Sequence, residues 1–267
     1  MTNISSSSGL RQLLKTVAVV TALITTNLAH ATIVEFETSQ GNFQVNLYDQ
    51  TTPKTVENFL AYIEQGHYTN SVIHRVVPNF IVQGGGFNFS GAWPLTRLST
   101  NASVINEPIY SNVKGTIAMA KQASDPNSAT DQWFFNLVNN SSNLDVQNSG
   151  FTVFGQVIGE GMTVLEKIAG LSLCQDIPMD NYSSQNCADQ SVPGLDNFVV
   201  INQITIVDSS AATETTVTKP KNTLINQPPA STPSGGSGGG TLGFTGLFLL
   251  VLSLFRKNFY RKSVIEK

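Results

Sequence analysis

Apolar side chains in this chain follow two periods that alternate along its length. Phe43, Val45 and Leu47 are spaced by polar residues, the period of a half-buried strand, and Ile33 to Glu37 precedes them across Ser39-Gln40-Gly41-Asn42, which predicts a β-hairpin. Val56, Phe59, Leu60 and Ile63 then fall at i, i+3, i+4 and i+7, one apolar face of a helix. That helix is expected to begin with Thr52 as N-cap and Pro53 at its first position, and to end at Gly66. From Val72 to Phe154 the pattern is of short strands between Gly/Asn/Ser-rich loops: Val72–Arg75, Ile81–Gly84, Gly115–Ala120, Trp133–Leu137 and Val153–Val157. A second helix is predicted over Gly161–Ala169 with Val164, Leu165 and Ile168 inward, and Phe198–Val207 reads as a long closing strand. Many short strands with two helices predict a mainly β fold, a closed antiparallel β-barrel capped by two α-helices.

The periodicity fails at both ends. Residues 1–31 have a basic start at Arg11 and Lys15, an apolar stretch from Val17 to Ile24 interrupted by Thr21, and the A-x-A sequence Ala29-His30-Ala31. This is the layout of a secretory signal peptide with Thr32 as the first mature residue; an N-terminal membrane anchor is the alternative, but the apolar stretch is far short of the ~20 residues a span needs. Residues 32–208 are of a size to bury one core as a single domain. Residues 209–240, rich in Thr, Ser, Pro and Gly with few large apolar side chains, read as a disordered linker. Within 241–267 an apolar run from Leu242 to Phe255 is followed by Arg256-Lys257 and Arg261-Lys262. That run is marginal as a transmembrane helix, yet the charge order fits a basic cytoplasmic end with the domain on the other face. Gly-rich linker, short apolar run and terminal basic cluster together resemble the GlyGly-type C-terminal sorting signals of bacterial exported proteins. The expectation is therefore a protein of the periplasm or cell envelope of a Gram-negative bacterium. It would associate with the membrane at least transiently through this segment, whether the segment is later cut or kept.

Charge narrows the partners. Residues 32–240 hold 8 Lys and Arg against 17 Asp and Glu, a net of −9. Such a surface repels phosphate backbones, so nucleic acid is not expected as a partner. The two cysteines, Cys174 and Cys187, lie 13 positions apart in a Gly/Pro/Asn-rich segment. In an oxidising compartment one intrachain disulfide is expected, with two separate thiols as the alternative. No CxxC and no nearby histidine suggests a metal there.

Candidate chemistry concentrates in Ile73-His74-Arg75-Val76-Val77-Pro78-Asn79-Phe80-Ile81-Val82-Gln83-Gly84-Gly85-Gly86-Phe87. Arg75 and Gln83 supply hydrogen-bond donors and Phe80 and Ile81 apolar surface, a mixture suited to a group both apolar and carbonyl-bearing, such as a proline within a peptide. The glycines fit close backbone approach rather than a phosphate loop, because no Lys-Ser/Thr or dinucleotide spacing follows. His74 reads as a structural histidine, His67 as an exposed residue after Gly66, and Trp93 and Trp133 as core or loop anchors.

The run resembles the signature of the cyclophilins, a class of peptidyl-prolyl isomerases. Gly115-Thr116-Ile117-Ala118-Met119-Ala120 looks like that family's strand before the substrate loop. Asp131-Gln132-Trp133-Phe134-Phe135-Asn136 is similar to its Ser-Gln-Phe-Phe-Ile motif, and Phe154-Gly155-Gln156-Val157 to its Phe-Gly-x-Val. The resemblance covers roughly Ile33 to Val207. It implies prolyl isomerisation without metal or other cofactor, by a protein expected to be a monomer, on unfolded or proline-containing polypeptides. Arg75 would be the catalytic arginine, with Gln83 and Gln132 beside it. Phe80, Ile81, Phe134 and Leu144 would form the proline pocket, and Gln83, Ala120 and Gln132 would hold the peptide backbone. Asn143 falls where eukaryotic members carry the tryptophan that binds cyclosporin, Phe151 where many carry a histidine, and Ile81 replaces a commoner methionine. Weak cyclosporin binding is implied. A peptide-binding scaffold of the same fold without useful catalysis is the alternative. The segment 170–197 is longer than a compact family member needs. Because it follows the last motif, a bridge there is expected to serve stability more than turnover.

Overall fold

The computed structural model describes residues 32–209 and 218–226. The expected signal peptide and the 241–267 segment lie outside the described residues. Among the described residues no helix is long and apolar enough to cross a membrane.

The N-terminal hairpin forms as its alternation dictates. Strands β1 (Ile33–Thr38) and β2 (Gly41–Leu47) pair with Phe36 opposite Phe43 and Val34 opposite Val45, turning at Ser39-Gln40. Val34, Phe36, Phe43, Val45 and Leu47 are all buried. Nine further strands complete one antiparallel sheet: β3 (Ser71–Val72), β4 (Arg75–Val77), β5 (Ile81–Gly84), β6 (Phe87–Asn88), β7 (Thr96–Arg97), β8 (Thr116–Met119), β9 (Trp133–Asn136), β10 (Val153–Ile158) and β13 (Val200–Asp208). Strands β11 (Ser172–Cys174) and β12 (Ile177–Met179) form a separate small hairpin.

The mainly β architecture is as expected, but the barrel is not closed. The sheet runs β4-β5-β9-β8-β10-β2-β1-β13-β3-β6-β7, an open, curled half-barrel with β4 at one end and β7 at the other. The reason lies at Ile73-His74, where the predicted single strand Val72–Arg75 divides. Val72 pairs with Val200 of β13, whereas Arg75 pairs with Gln83 of β5, and in between Ile73 donates to Val199 and His74 to Gln83. The chain changes partner there instead of sealing a ladder. The outer edge of β4 is covered by the small hairpin, for Val76 N donates to the Asp176 carbonyl at 2.6 Å.

Helix α1 (Pro53–Glu64) has Pro53 in its first turn, buries Thr55, Val56, Phe59 and Tyr62, and leaves Leu60 and Ile63 half-buried against the core. Thr52 does not cap it: its hydroxyl turns back to donate to the Tyr48 carbonyl at 3.2 Å. Glu107 does that work from a distant loop. Its Oε2 accepts from Thr55 N at 2.9 Å and Thr55 Oγ1 at 2.7 Å, placing a carboxylate where the helix presents unpaired N–H groups and a positive dipole end. Glu107→Ala is expected to cost about 1–2 kcal/mol, with Glu107→Gln recovering part of it in a denaturant titration. Short helices α2 (Ser141–Leu144) and α4 (Ser184–Ala188) join the two expected ones, the second of which is α3 (Gly161–Ala169), burying Leu165 and Ile168 as predicted.

The stretch expected as a linker is partly docked. Residues 218–226 run back along the domain: Ser111 N donates to the Pro220 carbonyl, Asn222 N to the Ile109 carbonyl, and Asn222 Nδ2 to the Asp145 carbonyl. Lys219 Nζ lies 5.1 Å from the centre of the Tyr48 ring. Composition concealed this, because the docking combines backbone groups, one lysine and one asparagine with only two half-buried apolar side chains, Leu224 and Ile225.

Candidate active site

Register across three strands assembles the site. Arg75 of β4 stands opposite Gln83 of β5, and Gln83 opposite Phe134 of β9. Directly opposed residues share a face of the sheet, so these three form a row across it. Arg75 Nη1 approaches Gln83 Oε1 at 3.4 Å, a long contact, and Gln83 Nε2 donates to Gln132 Oε1 at 3.0 Å. Gln132 precedes β9, and its carbonyl accepts from Ala120 N at 2.9 Å, which sets Ala120 beside it. The glycine run makes room for this. A Cβ on Gly86 would meet Gln132 Nε2 at 2.5 Å, and Gly85, at φ +95°, has a backbone that L side chains rarely adopt.

Beside the polar row lies an apolar cluster separate from the main core. Ile81, Phe134, Leu144 and Phe151 are buried in it with Tyr48, Ala118 and Val153, and Phe80 and Ala120 pack at its margin. Phe134 and Phe151 meet edge to face with centroids 5.7 Å apart. The four residues expected to form the proline pocket, Phe80, Ile81, Phe134 and Leu144, are thus brought together with Ala120 and Phe151, beside Arg75, Gln83 and Gln132.

The cluster rests on buried amides that sequence reading did not single out. Asn136 Nδ2 donates to Thr116 Oγ1 at 2.9 Å, and Asn140 Nδ2 donates to Asn136 Oδ1 at 2.8 Å and to the Phe80 carbonyl at 2.9 Å. Asn112 donates through N and Nδ2 to Asp145 Oδ1 and through Nδ2 to the Phe151 carbonyl. These bonds tie down the backbones of Phe80 and Phe151 and the side chain of Asp145, the neighbour of Leu144. Asn112 and Asn140 lie outside the strands and Asn136 at the last position of β9, where no periodicity signals burial of a polar side chain.

Electrostatics separates the basic groups. His74 packs against Phe87 with ring centroids 4.7 Å apart and planes tilted by 57°, and its pKa falls to about 4, chiefly through burial and then through the adjacent Arg75 charge. It is neutral near pH 7, in keeping with a structural role. His67, expected to be exposed, is instead tucked in: its Nε2 lies 3.2 Å from both the Gly85 carbonyl and Asp131 Oδ2, with the side chain 8% exposed. The flanking Tyr62 and Tyr68 rings cover it. Lys121 sits 4.8 Å from the centre of the Phe151 ring and donates to the Gly150 and Asn148 carbonyls; burial lowers its pKa to about 8. Arg75 is held on its other side by Asp176, Nε to Oδ2 at 3.5 Å. Asp176 belongs to the segment 170–197, which follows the last motif in sequence but reaches Arg75 in the fold. Cys174 and Cys187 in the same segment lie at disulfide distance, with Cα atoms 5.5 Å apart.

Residues 33–188 match the family described as cyclophilin type peptidyl-prolyl cis-trans isomerase/CLD. The chain belongs to the cyclophilin family. A peptidyl-prolyl cis-trans isomerase of Acinetobacter baylyi is 38% identical over 186 residues, covering 67% of this chain and 93% of that protein. Peptidyl-prolyl cis-trans isomerase B of Escherichia coli is 36% identical over 160 residues, covering 56% of this chain and 94% of its own. Peptidyl-prolyl cis-trans isomerase A of Dickeya dadantii is 38% identical over 184 residues, covering 65% and 93%. The cyclophilin match spans the Arg75 row and the apolar cluster alike, so the polar and apolar halves of the site belong to one peptidyl-prolyl isomerase domain.

Proposed function

We propose that this cyclophilin accelerates X-Pro isomerisation in unfolded polypeptides during the folding of exported proteins, with Arg75 as the catalytic donor. An X-Pro bond has a trans preference of only about 0.5–1 kcal/mol but a barrier of ~18–20 kcal/mol, because the nitrogen lone pair is conjugated with the carbonyl. Rotation frees that lone pair, and a guanidinium N–H aimed at the imide nitrogen stabilises the twisted form more than either planar one. The proline ring enters the apolar cluster of Phe80, Ile81, Phe134, Leu144 and Phe151. Gln83 and Gln132, with the Ala120 backbone, hold the chain on either side. No nucleophile is required. The observation behind this assignment is the Arg75–Gln83–Gln132 row laid against the apolar cluster. A scaffold could use the arginine to hold a peptide carbonyl, but the isomerase relatives together with this row favour the enzyme.

Export is the second part of the proposal. It is supported by the A-x-A sequence ahead of Thr32, by two cysteines placed to bridge, and by the apolar-then-basic C-terminus. Expression of the full chain with a C-terminal tag in a Gram-negative host tests both parts. Periplasmic protein starting at Thr32, with no alkylatable thiol before reduction and with proline-peptide turnover, is the expected result. Cytoplasmic material starting at Met1 would refute export, and processed, folded protein without turnover would refute the enzyme.

A further inference from the structure

The small hairpin that caps β4 reaches the site through one side chain. Asp176 sits in the two-residue turn between β11 and β12, where Cys174 pairs with Ile177. Its carbonyl receives Val76 N at 2.6 Å and its carboxylate lies 3.5 Å from Arg75 Nε, so both main chain and side chain dock on β4. Arg75 is consequently held on two sides, by Asp176 at Nε and by Gln83 at Nη1. A guanidinium is a rigid planar fork, so two contacts at different nitrogens fix its plane, which a single contact would leave free to pivot.

The hairpin is itself tied down in two ways. Cys174, Met179 and Tyr182 pack with Phe198 and Val200 in a small apolar cluster, and Cys174 lies at disulfide distance from Cys187 of α4. The cluster anchors the base of the hairpin, and the bridge acts next to the turn that bears Asp176. Ser183 Oγ accepts from Asn186 N and caps α4, so the helix bearing Cys187 is a defined support.

We propose that Asp176 is a positioning residue for Arg75, and that the Cys174–Cys187 bridge holds it in place, so that the segment 170–190 is part of the isomerase site. The inference rests on the assignment of Arg75 as catalytic donor. Its effect lies in the orientation of a donor used in the twisted state, so it shows in kcat and leaves KM for a proline peptide unchanged. The Asp176 side chain is 43% exposed, and its replacement removes no core group, so folding is retained.

Steady-state turnover of the full-length protein by Asp176→Ala, Asp176→Asn, Cys174→Ala/Cys187→Ala and the triple variant tests the proposal, with Arg75→Ala alongside. Asp176→Ala is expected to lose about tenfold in kcat, within the range of couplings between contacting residues, at native KM and native melting temperature. Asp176→Asn, which keeps the shape without the charge, falls in between. The cysteine pair variant loses severalfold in kcat, roughly two- to fivefold by the same measure, and adds nothing in the Asp176→Ala background. Native kcat in Asp176→Ala, or a loss confined to KM, would overturn the positioning role. Equal losses from the cysteine variant with and without Asp176 would overturn the role of the bridge. If Arg75→Ala itself turns over like the native protein, the catalytic assignment fails; if Arg75→Ala falls and Asp176→Ala does not, this inference alone fails.

Discussion

Arg75→Ala is expected to lose about 10²–10³-fold in proline-peptide turnover, the scale of removing one transition-state donor, while the protein stays folded. The side chain is 15% exposed at the sheet surface and belongs to no apolar cluster, so truncation opens no core cavity. Asp176, left without its partner, is exposed enough to be solvated rather than stranded. The apolar pocket and the Gln83–Gln132 bond are untouched, so KM should hold while kcat falls. Arg75→Lys should land between the two: it keeps the charge, but an ammonium cannot reach Asp176 and Gln83 with a fixed planar fork. A folded Arg75→Ala protein with native turnover would remove Arg75 from the mechanism. An equal loss in kcat and in melting temperature would make it a structural residue instead.

What could be read from the chain follows sequence separation. The β1–β2 hairpin, β5 and the inward face of α3 are set by periods within a few residues, and they occur where the pattern places them. The site was legible for a related reason. Arg75, Phe80, Ile81 and Gln83 lie on one β4–β5 hairpin, and its motif fixes their spacing before any tertiary contact is known. Gln132, Phe134, Leu144 and Phe151 needed the family resemblance, because nothing local says that β9 pairs with β5.

What escaped were pairings between polar residues far apart in sequence. Glu107 caps α1 across 52 positions, and a local Ser/Thr rule therefore pointed to Thr52. Asp176 returns to Arg75 from beyond every recognisable motif. His67 follows a glycine that ends a helix, a context that reads as surface, yet it lies against a buried carboxylate contributed by Asp131. The openness of the sheet has the same origin. A short β-prone run at Val72–Arg75 says that the segment is extended, but not that its two halves hydrogen-bond to different strands. Apolar burial is announced by period, whereas polar contacts of this kind depend on which loops the fold brings together.

The largest loss of stability is expected at Trp133. Its side chain is fully buried, with ring centroids 5.2 Å from Phe36, 5.3 Å from Phe135 and 6.2 Å from Tyr68, at the centre of the main core. Trp133→Ala should cost about 3–5 kcal/mol, which for a domain of this size lowers the melting temperature by roughly 6–20 °C. Gln132, just before β9, and Phe134, the next residue along it, point to the opposite face by the strand's alternation. Turnover measured well below the new midpoint should therefore stay far above that of Arg75→Ala. Gly84 gives an internal check, because a Cβ there would meet Trp133 Cη2 at 2.7 Å. Gly84→Ala should destabilise the native protein through that clash but cost less when Trp133 is already alanine, since the added methyl enters vacated space. The two changes are then non-additive, as expected of residues that share one volume. Strict additivity, or a melting temperature within about 2 °C of native for Trp133→Ala, less than a single kcal/mol, would mean that the indole does not fill the core as described.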